Sequence, residues 1–209
     1  CYTTAQTYMS LSAAVVLLYT APFFVVLISA PLFKERITPL KVAALFLVLA
    51  GAVCSSGLIE SGVSFSLTGV LLGIMSGFGY ALYSIFGRFA LQKGYSSNTV
   101  SFYTFLFSAA ASLALNVTAP LPAVEATPAV MGWCLFLGII CCLAPYALYT
   151  KGLANVENGR ASVIASLEVV VASLVSVAVF HEPVSATSVL GVALVITGIV
   201  VMNIRSTQK

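Results

Sequence analysis

Aspartate is absent from this sequence, histidine and tryptophan occur once each, and only 7% of the 209 residues are charged. Without Asp, and with His181 as the single imidazole, the chain lacks the residues from which carboxylate dyads, catalytic triads and most metal sites are assembled. Five cysteines, Cys1, Cys54, Cys134, Cys141 and Cys142, form neither a CxxC pair nor a Cys/His ligand spacing, so they are expected to be small apolar packing residues. No GxxxxGK[ST] phosphate loop is present, which argues against ATP hydrolysis within the chain. No catalytic residue, metal or cofactor is expected, and the chain is not expected to be an enzyme. An average soluble domain is roughly a quarter charged, whereas this chain is 60% hydrophobic, the composition of a membrane protein. Its net charge of +3 gives no reason to expect nucleic acid as a partner.

What the sequence does contain is a series of long apolar runs. Stretches close to the ~20 residues that a helix needs to cross ~30 Å of hydrocarbon lie at residues 12–33, 39–58, 66–87, 97–117, 129–150, 161–180 and 186–204. Glycine and serine recur inside them, as in SGFGYALYS and LEVVVASLVS, which weakens a strand but permits close packing of membrane helices. No alternating ten-residue segments of the β-barrel kind occur. The expected fold is an all-α polytopic bundle with about seven transmembrane helices. Gly69, Gly73 and Gly77 recur every four residues and predict a close-packing face. The opening CYTTAQTYM reads as the tail of something longer, so the chain is expected to be an N-terminally truncated fragment.

Charge sets the expected orientation. Lys34, Arg36 and Lys41 fall in one connection, Arg88 and Lys93 in the next but one, Lys151 and Arg160 two further on, and Arg205 and Lys209 after the last run. The connections around Glu60, Glu125 and Glu182 carry no Lys or Arg. All nine basic residues therefore lie on one side, which the positive-inside rule assigns to the cytoplasm. The expected location is the cell membrane (inner or plasma membrane), multi-pass, with a cytoplasmic C-terminus.

The hinge LFKERITPLK returns near the other end of the chain as VFHEPVSATS. Aligning Glu35 with Glu182 also brings Tyr2 onto Tyr149, Thr3 onto Thr150, Ser29 onto Ser176, Phe33 onto Phe180 and Gly51 onto Gly198. By helix count the two hinges face opposite sides of the membrane, so this is an internal repeat of inverted topology. Two such bundles can rock about a midplane site and open it to each side in turn, as in many secondary transporters.

The segment ASVIASLEVVVASLVSVAVFHEPVSATSVLGVALVITGIVVM resembles the closing helix pair of an EamA-type repeat of the drug/metabolite transporter superfamily, and SAAVVLLYTAPFFVVLISAPLFKERITPLKVAALFLVLAGAV is similar to the same pair in the first repeat. The resemblance covers essentially the whole chain. It implies a ten-helix fold of two five-helix inverted repeats, with about three N-terminal helices absent here. Residues 1–58 would close the first repeat and 66–205 would form the second. The family's Leu-Glu-Pro-like element is divided between the copies: Pro22 follows Ala21 in the first, and Glu168 is followed by Val169 in the second.

Glu168 is the leading candidate for a substrate-binding residue. An ionisable side chain within a span costs roughly 2.5 kcal/mol or more unless paired or hydrated. It could carry a proton, meet a substrate ammonium, or lock helices together through serines. On a helical wheel Ser162, Ala165, Ser166, Ala172, Ser173 and Ser176 share its arc, which suits the bundle interior, whereas Val163, Ile164, Leu167, Val170, Val171, Leu174 and Val177 form an arc suited to lipid. Tyr19, Tyr80, Tyr83 and Tyr146 could line a cavity with an apolar wall and a hydroxyl or sit in an interfacial belt, the expected place of Tyr149. Pro22 and Pro145 free the carbonyls of Leu18 and Cys141 for a substrate amine, or simply kink their helices. Glu35 and Glu182 are expected to cap the helices that follow them; Glu60, Glu125 and Glu157 read as solvated loop charges.

These features, with the family resemblance, point to a secondary transporter of small organic metabolites working by alternating access, an exporter of amino acids or related amphiphiles. Its expected partners are a small-molecule substrate, the lipid bilayer and protons as coupling ion, in a monomer or homodimer. The alternative is a seven-helix membrane receptor or sensor, which would lack the repeat.

Overall fold

The computed structural model describes residues 2–59, 66–118, 127–181 and 184–204. They form helices α1 (Tyr2–Ala5), α2 (Leu11–Leu18), α3 (Ala21–Phe33), α4 (Pro39–Ser55), α5 (Leu67–Gln92), α6 (Ser97–Thr118), α7 (Pro128–Phe136), α8 (Ala144–Leu153), α9 (Asn158–Ala165), α10 (Leu167–Phe180) and α11 (Ala186–Ile204). A π-helical stretch, Leu137–Leu143, joins α7 to α8. Among the described residues, six helical spans are long and apolar enough to cross a membrane: Leu11–Phe33, Leu67–Gln92, Ser97–Val117, Pro128–Leu153, Asn158–Phe180 and Ala186–Asn203. Where the sequence suggests a seventh, α4 is a shorter apolar helix of 17 residues, about 26 Å long.

Three spans expected to be continuous are interrupted. Residues 12–33 divide between α2 and α3 at Tyr19 and Thr20, where the Tyr19 amide reaches back to the Val15 and Val16 carbonyls and the Thr20 hydroxyl donates to the Leu17 carbonyl at 2.6 Å. A side chain that competes for a helix carbonyl weakens the next turn. Pro22 follows in the first turn of α3, where a missing N–H costs nothing, so it marks a helix start and not a mid-helix kink. Residues 161–180 divide between α9 and α10 at Ser166, and there the break needs no proline. In the third span Pro145 opens α8 behind the π-helical stretch, and the Ala144 amide donates to Ile139; the wider turns take up the change of register.

The interruptions obey the internal repeat. Under the alignment of Glu35 with Glu182, both ends of α2 fall on the ends of α9, the end of α3 on that of α10, and the start of α4 on that of α11. The residues closing α3 and α10, Lys34 and His181, are left-handed at φ 55° and 53° and are the non-glycine residues with positive φ among those described. Matched helices also pair in opposite directions. In the contact between α4 and α11, Gly51 meets Gly191 while Gly198 meets Ala44, and these two contacts exchange when the copies are exchanged. A Cβ on Gly51 would lie 2.7 Å from the Gly191 carbonyl oxygen, and one on Gly191 would lie 2.6 Å from that of Gly51. Close backbone approach of this kind holds helices together in lipid, where there is no hydrophobic drive between them.

The chain forms two compact units, Cys1–Ile85 with Glu157–Lys209, and Phe86–Val156. In the first, α5 lies on α2 through the predicted glycine face: a Cβ on Gly69 would meet Met9, one on Gly73 would meet Leu17, and one on Gly77 would lie 2.7 Å from the Thr20 hydroxyl. Val26, Ala44, Leu45, Val48, Val163 and Met202 form one core cluster, and Ala52, Val169, Val170 and Val195 another. Val163 and Val170 were expected to face lipid and are buried instead. The break at Ser166 prevents one wheel from describing both halves, and α4 and α11 cover faces of each. In the second unit Phe105 of α6 meets Tyr146 of α8 edge-on at 5.9 Å, and Arg88 donates to the carbonyls of Leu153 and Val156. Cys134, Cys141 and Cys142 are exposed thiols and Cys54 is half-buried, so the first three are not packing residues as expected; their span is exposed along most of its length.

The Ser55 hydroxyl lies 2.7 Å from that of Ser173 and ties α4 to α10. A double-mutant cycle of Ser55→Ala and Ser173→Ala, read by unfolding in detergent, is expected to give a coupling near the ~0.6 kcal/mol typical of such bonds between membrane helices. Additive single effects would mean that the two hydroxyls do not share a bond.

Candidate functional site

The two helix breaks face each other. Tyr19 closes α2, and its phenol donates to Glu168 Oε1 at 2.8 Å. Glu168 stands in the first turn of α10, where the positive end of the helix dipole favours a carboxylate. Between the breaks lies a cavity of ≈ 30 Å³, room for about two waters. Its wall contains Leu18, Tyr19 and Ala21 from the first copy and Ala165, Ser166 and Glu168 from the second; under the repeat alignment these are three matched pairs. Pro22, Ser162 and Tyr80 of α5 complete the lining.

The lining chemistry is amphiphilic and unequal. One side carries a carboxylate and two hydroxyls, Glu168, Ser162 and Ser166, and the other carries aliphatic groups and a phenol, Leu18, Ala21, Pro22 and Tyr19. Such a lining offers a carboxylate to a proton or an ammonium on one side and an apolar wall on the other, while the cavity in this conformation has room only for water. The breaks supply further polarity, because half-helix ends present backbone groups that an unbroken helix would bond internally.

Of the residues expected to bind substrate, Tyr19, Pro22, Tyr80 and Glu168 come together around the cavity. Tyr83 is outside the lining and stands beside Tyr80, ring centroids 6.5 Å apart. Tyr146 belongs to the Phe86–Val156 unit, where it packs on Phe105. Ser162, Ser166 and Ala165 share the Glu168 arc in the sequence but are not singled out there; for Ala165 and Ser166 the matched positions opposite Leu18 and Tyr19 were the missing signal.

The acids at the hinges behave differently from expectation. Glu35 does not cap α4, the helix that follows it; Thr38 does, accepting from the Lys41 amide at 3.2 Å. Glu35 instead accepts from the amides of Asn158 and Gly159, at 2.8 and 3.3 Å, and so caps α9. Glu157, expected to be a solvated loop charge, pairs with Lys41 at 2.9 Å. Both departures arise because α9 is packed on α3 and brings a helix start against the hinge. Glu60, Glu125 and Glu182 lie outside the described residues.

A profile of the EamA-like transporter family matches residues 1–57 and 67–204. An uncharacterized transporter of Archaeoglobus fulgidus is 29% identical over 190 residues, which cover 90% of this chain and 65% of that protein. A second from the same archaeon is 29% identical over 206 residues, 94% of this chain and 69% of its own length. The uncharacterized transporter YwfM of Bacillus subtilis is 30% identical over 144 residues, 69% of this chain and 48% of its own. Matches to these relatives thus span from about half to about two-thirds of their lengths. A solved crystal structure, 23% identical, superposes with a TM-score of 0.82 over 97% of this chain and 70% of its own, a likeness that concerns the fold alone.

Proposed function

Since the chain belongs to the EamA-like transporter family, we propose that the protein it represents moves small organic metabolites across a membrane by alternating access and exports amino acids or related amphiphiles. The observation that carries this reading is the cavity at the paired breaks, built from matched positions of two oppositely directed repeats. Residues 1–58 close the first repeat and 66–205 form the second. Rocking one repeat against the other about the cavity exposes it to each side in turn. Glu168 holds the amine of the substrate or the coupling proton, Tyr19 orients the carboxylate, and Pro22 and Tyr80 form the wall, which Tyr83 extends. The protein acts as a monomer or homodimer in the cell membrane with its C-terminus in the cytoplasm, as the basic connections imply.

The test is counterflow uptake of labelled amino acids and amines into proteoliposomes holding the full-length protein, with empty liposomes as control. Saturable uptake of at least one member is expected. No uptake of any member by folded, correctly inserted protein would overturn amino acids and amines as the substrate class.

A further inference from the structure

We propose that Glu35, Lys41, Glu157 and Asn158 form a gate that closes the cavity on the side of the basic connections; the inference rests on the transport reading above. Asn158 is fully buried, 0% exposed, and both ends of its amide are committed: Nδ2 donates to Ser29 Oγ at 2.7 Å, and Oδ1 accepts from Ser84 Oγ at 2.7 Å. Its backbone amide and that of Gly159 are held by the Glu35 carboxylate. Lys41, 9% exposed, pairs with Glu157 at 2.9 Å and stands 4.0 Å from Glu35. Apart from the Ser84 bond and the approach of Lys41 to Glu35, each of these links joins the first copy of the repeat to the second.

The position of the cluster makes it a gate. Asn158 begins α9, Ser162 one turn later lines the cavity, and Ser166 at the break lines it as well. The first turn of α9, which carries Arg160, therefore lies between the cavity and the connection bearing Lys34 and Arg36. Opening on that side requires α9 to leave α3 and α4, which breaks the bonds of Asn158 to Ser29, of the α9 amides to Glu35 and of Glu157 to Lys41.

The capping arrangement differs between the copies. Helix α2 is capped by its own Ser10, which accepts from the Ala13 amide at 3.3 Å, so its start stays satisfied wherever the helix moves. Helix α9 makes no cap bond through its own preceding residue, Glu157, whose carboxylate is engaged by Lys41. Its amides are satisfied by Glu35 while the gate is shut and need water once α9 departs. Closure thus stores charge-assisted bonds, those of Glu35 largely screened from water and that of Glu157 half exposed, and opening exchanges them for hydration.

The test uses the full-length protein in membrane vesicles, with native cysteines replaced by serine and a single reporter, Ala165→Cys, in the cavity wall. A membrane-impermeant maleimide is applied to each side in turn. Glu35→Gln is expected to speed labelling from the basic side by at least about tenfold, the change that loss of one charge-assisted bond brings to a two-state ratio, and Glu157→Gln to speed it less. Folding is checked by circular dichroism and melting. Should Glu35→Gln not fold, Glu157→Gln, whose pair is half exposed, decides the matter. Labelling at the parent rate in the folded variants would overturn the gate. Because labelling needs no transported substrate, a failure of uptake would sink the transport reading and leave this result intact.

Discussion

Glu168→Gln is expected to lower counterflow by the full-length protein about 100-fold without unfolding it. The amide is close in shape to the carboxylate and can still accept from the Tyr19 hydroxyl, which lies 2.8 Å from Glu168, so packing at the break survives. What disappears is the negative charge that holds an ammonium or a proton. Removing one member of a charge pair that becomes buried when substrate binds costs roughly 2–5 kcal/mol, and about 2.7 kcal/mol corresponds to the 100-fold stated. Tyr19→Phe keeps the charge and removes one hydrogen bond to it, and about a tenfold loss is expected. Rate and pH dependence unchanged in the glutamine variant would reduce Glu168 to a residue that locks α10 to α2.

Gly51→Leu or Gly191→Leu is expected to be the most damaging single change to the fold, costing about 3 kcal/mol or more. The atoms a side chain would strike at 2.7 and 2.6 Å are backbone carbonyl oxygens of the facing helix, which cannot rotate away as a side chain can. Relief requires α4 and α11 to separate, and with them the two repeats. Gly79→Leu and Gly138→Leu are the controls, since nothing lies within 4 Å of a Cβ at either, and leucine improves helix propensity there. The measurement is the thermal midpoint and the monodisperse fraction in detergent. Equal midpoints for Gly51→Leu and Gly79→Leu would refute the close helix contact.

Much of the architecture was legible because the bilayer imposes a length and an apolarity that a sequence displays directly. The runs at 97–117 and 186–204 appear as α6 and α11 within a residue, and the pairing of Glu35 with Glu182 anticipates the matched helix ends and the left-handed Lys34 and His181. Around the cavity, Tyr19, Pro22, Tyr80 and Glu168 stand out in the sequence because a phenol, a proline or an acid is unusual in a span. Ser162 and Ser166 do not, since serine is common on any helix-packing face. The wheel that placed Val170 against lipid failed because a single period cannot cross the break at Ser166, and no local pattern announces a break without proline.

The sequence by itself determined that the chain crosses a membrane repeatedly, that its halves repeat in opposite senses, and that one acid lies within a span. Those properties follow from the cost of placing charge and unbonded backbone in hydrocarbon, which acts on each segment separately. Only the tertiary structure decided that Glu168 meets Tyr19 across 149 residues, that Glu35 caps α9 and not its own neighbour, and that Gly51 faces Gly191. Each of these depends on which helices touch and at what height, and that is set by the packing of whole helices, which no one segment specifies.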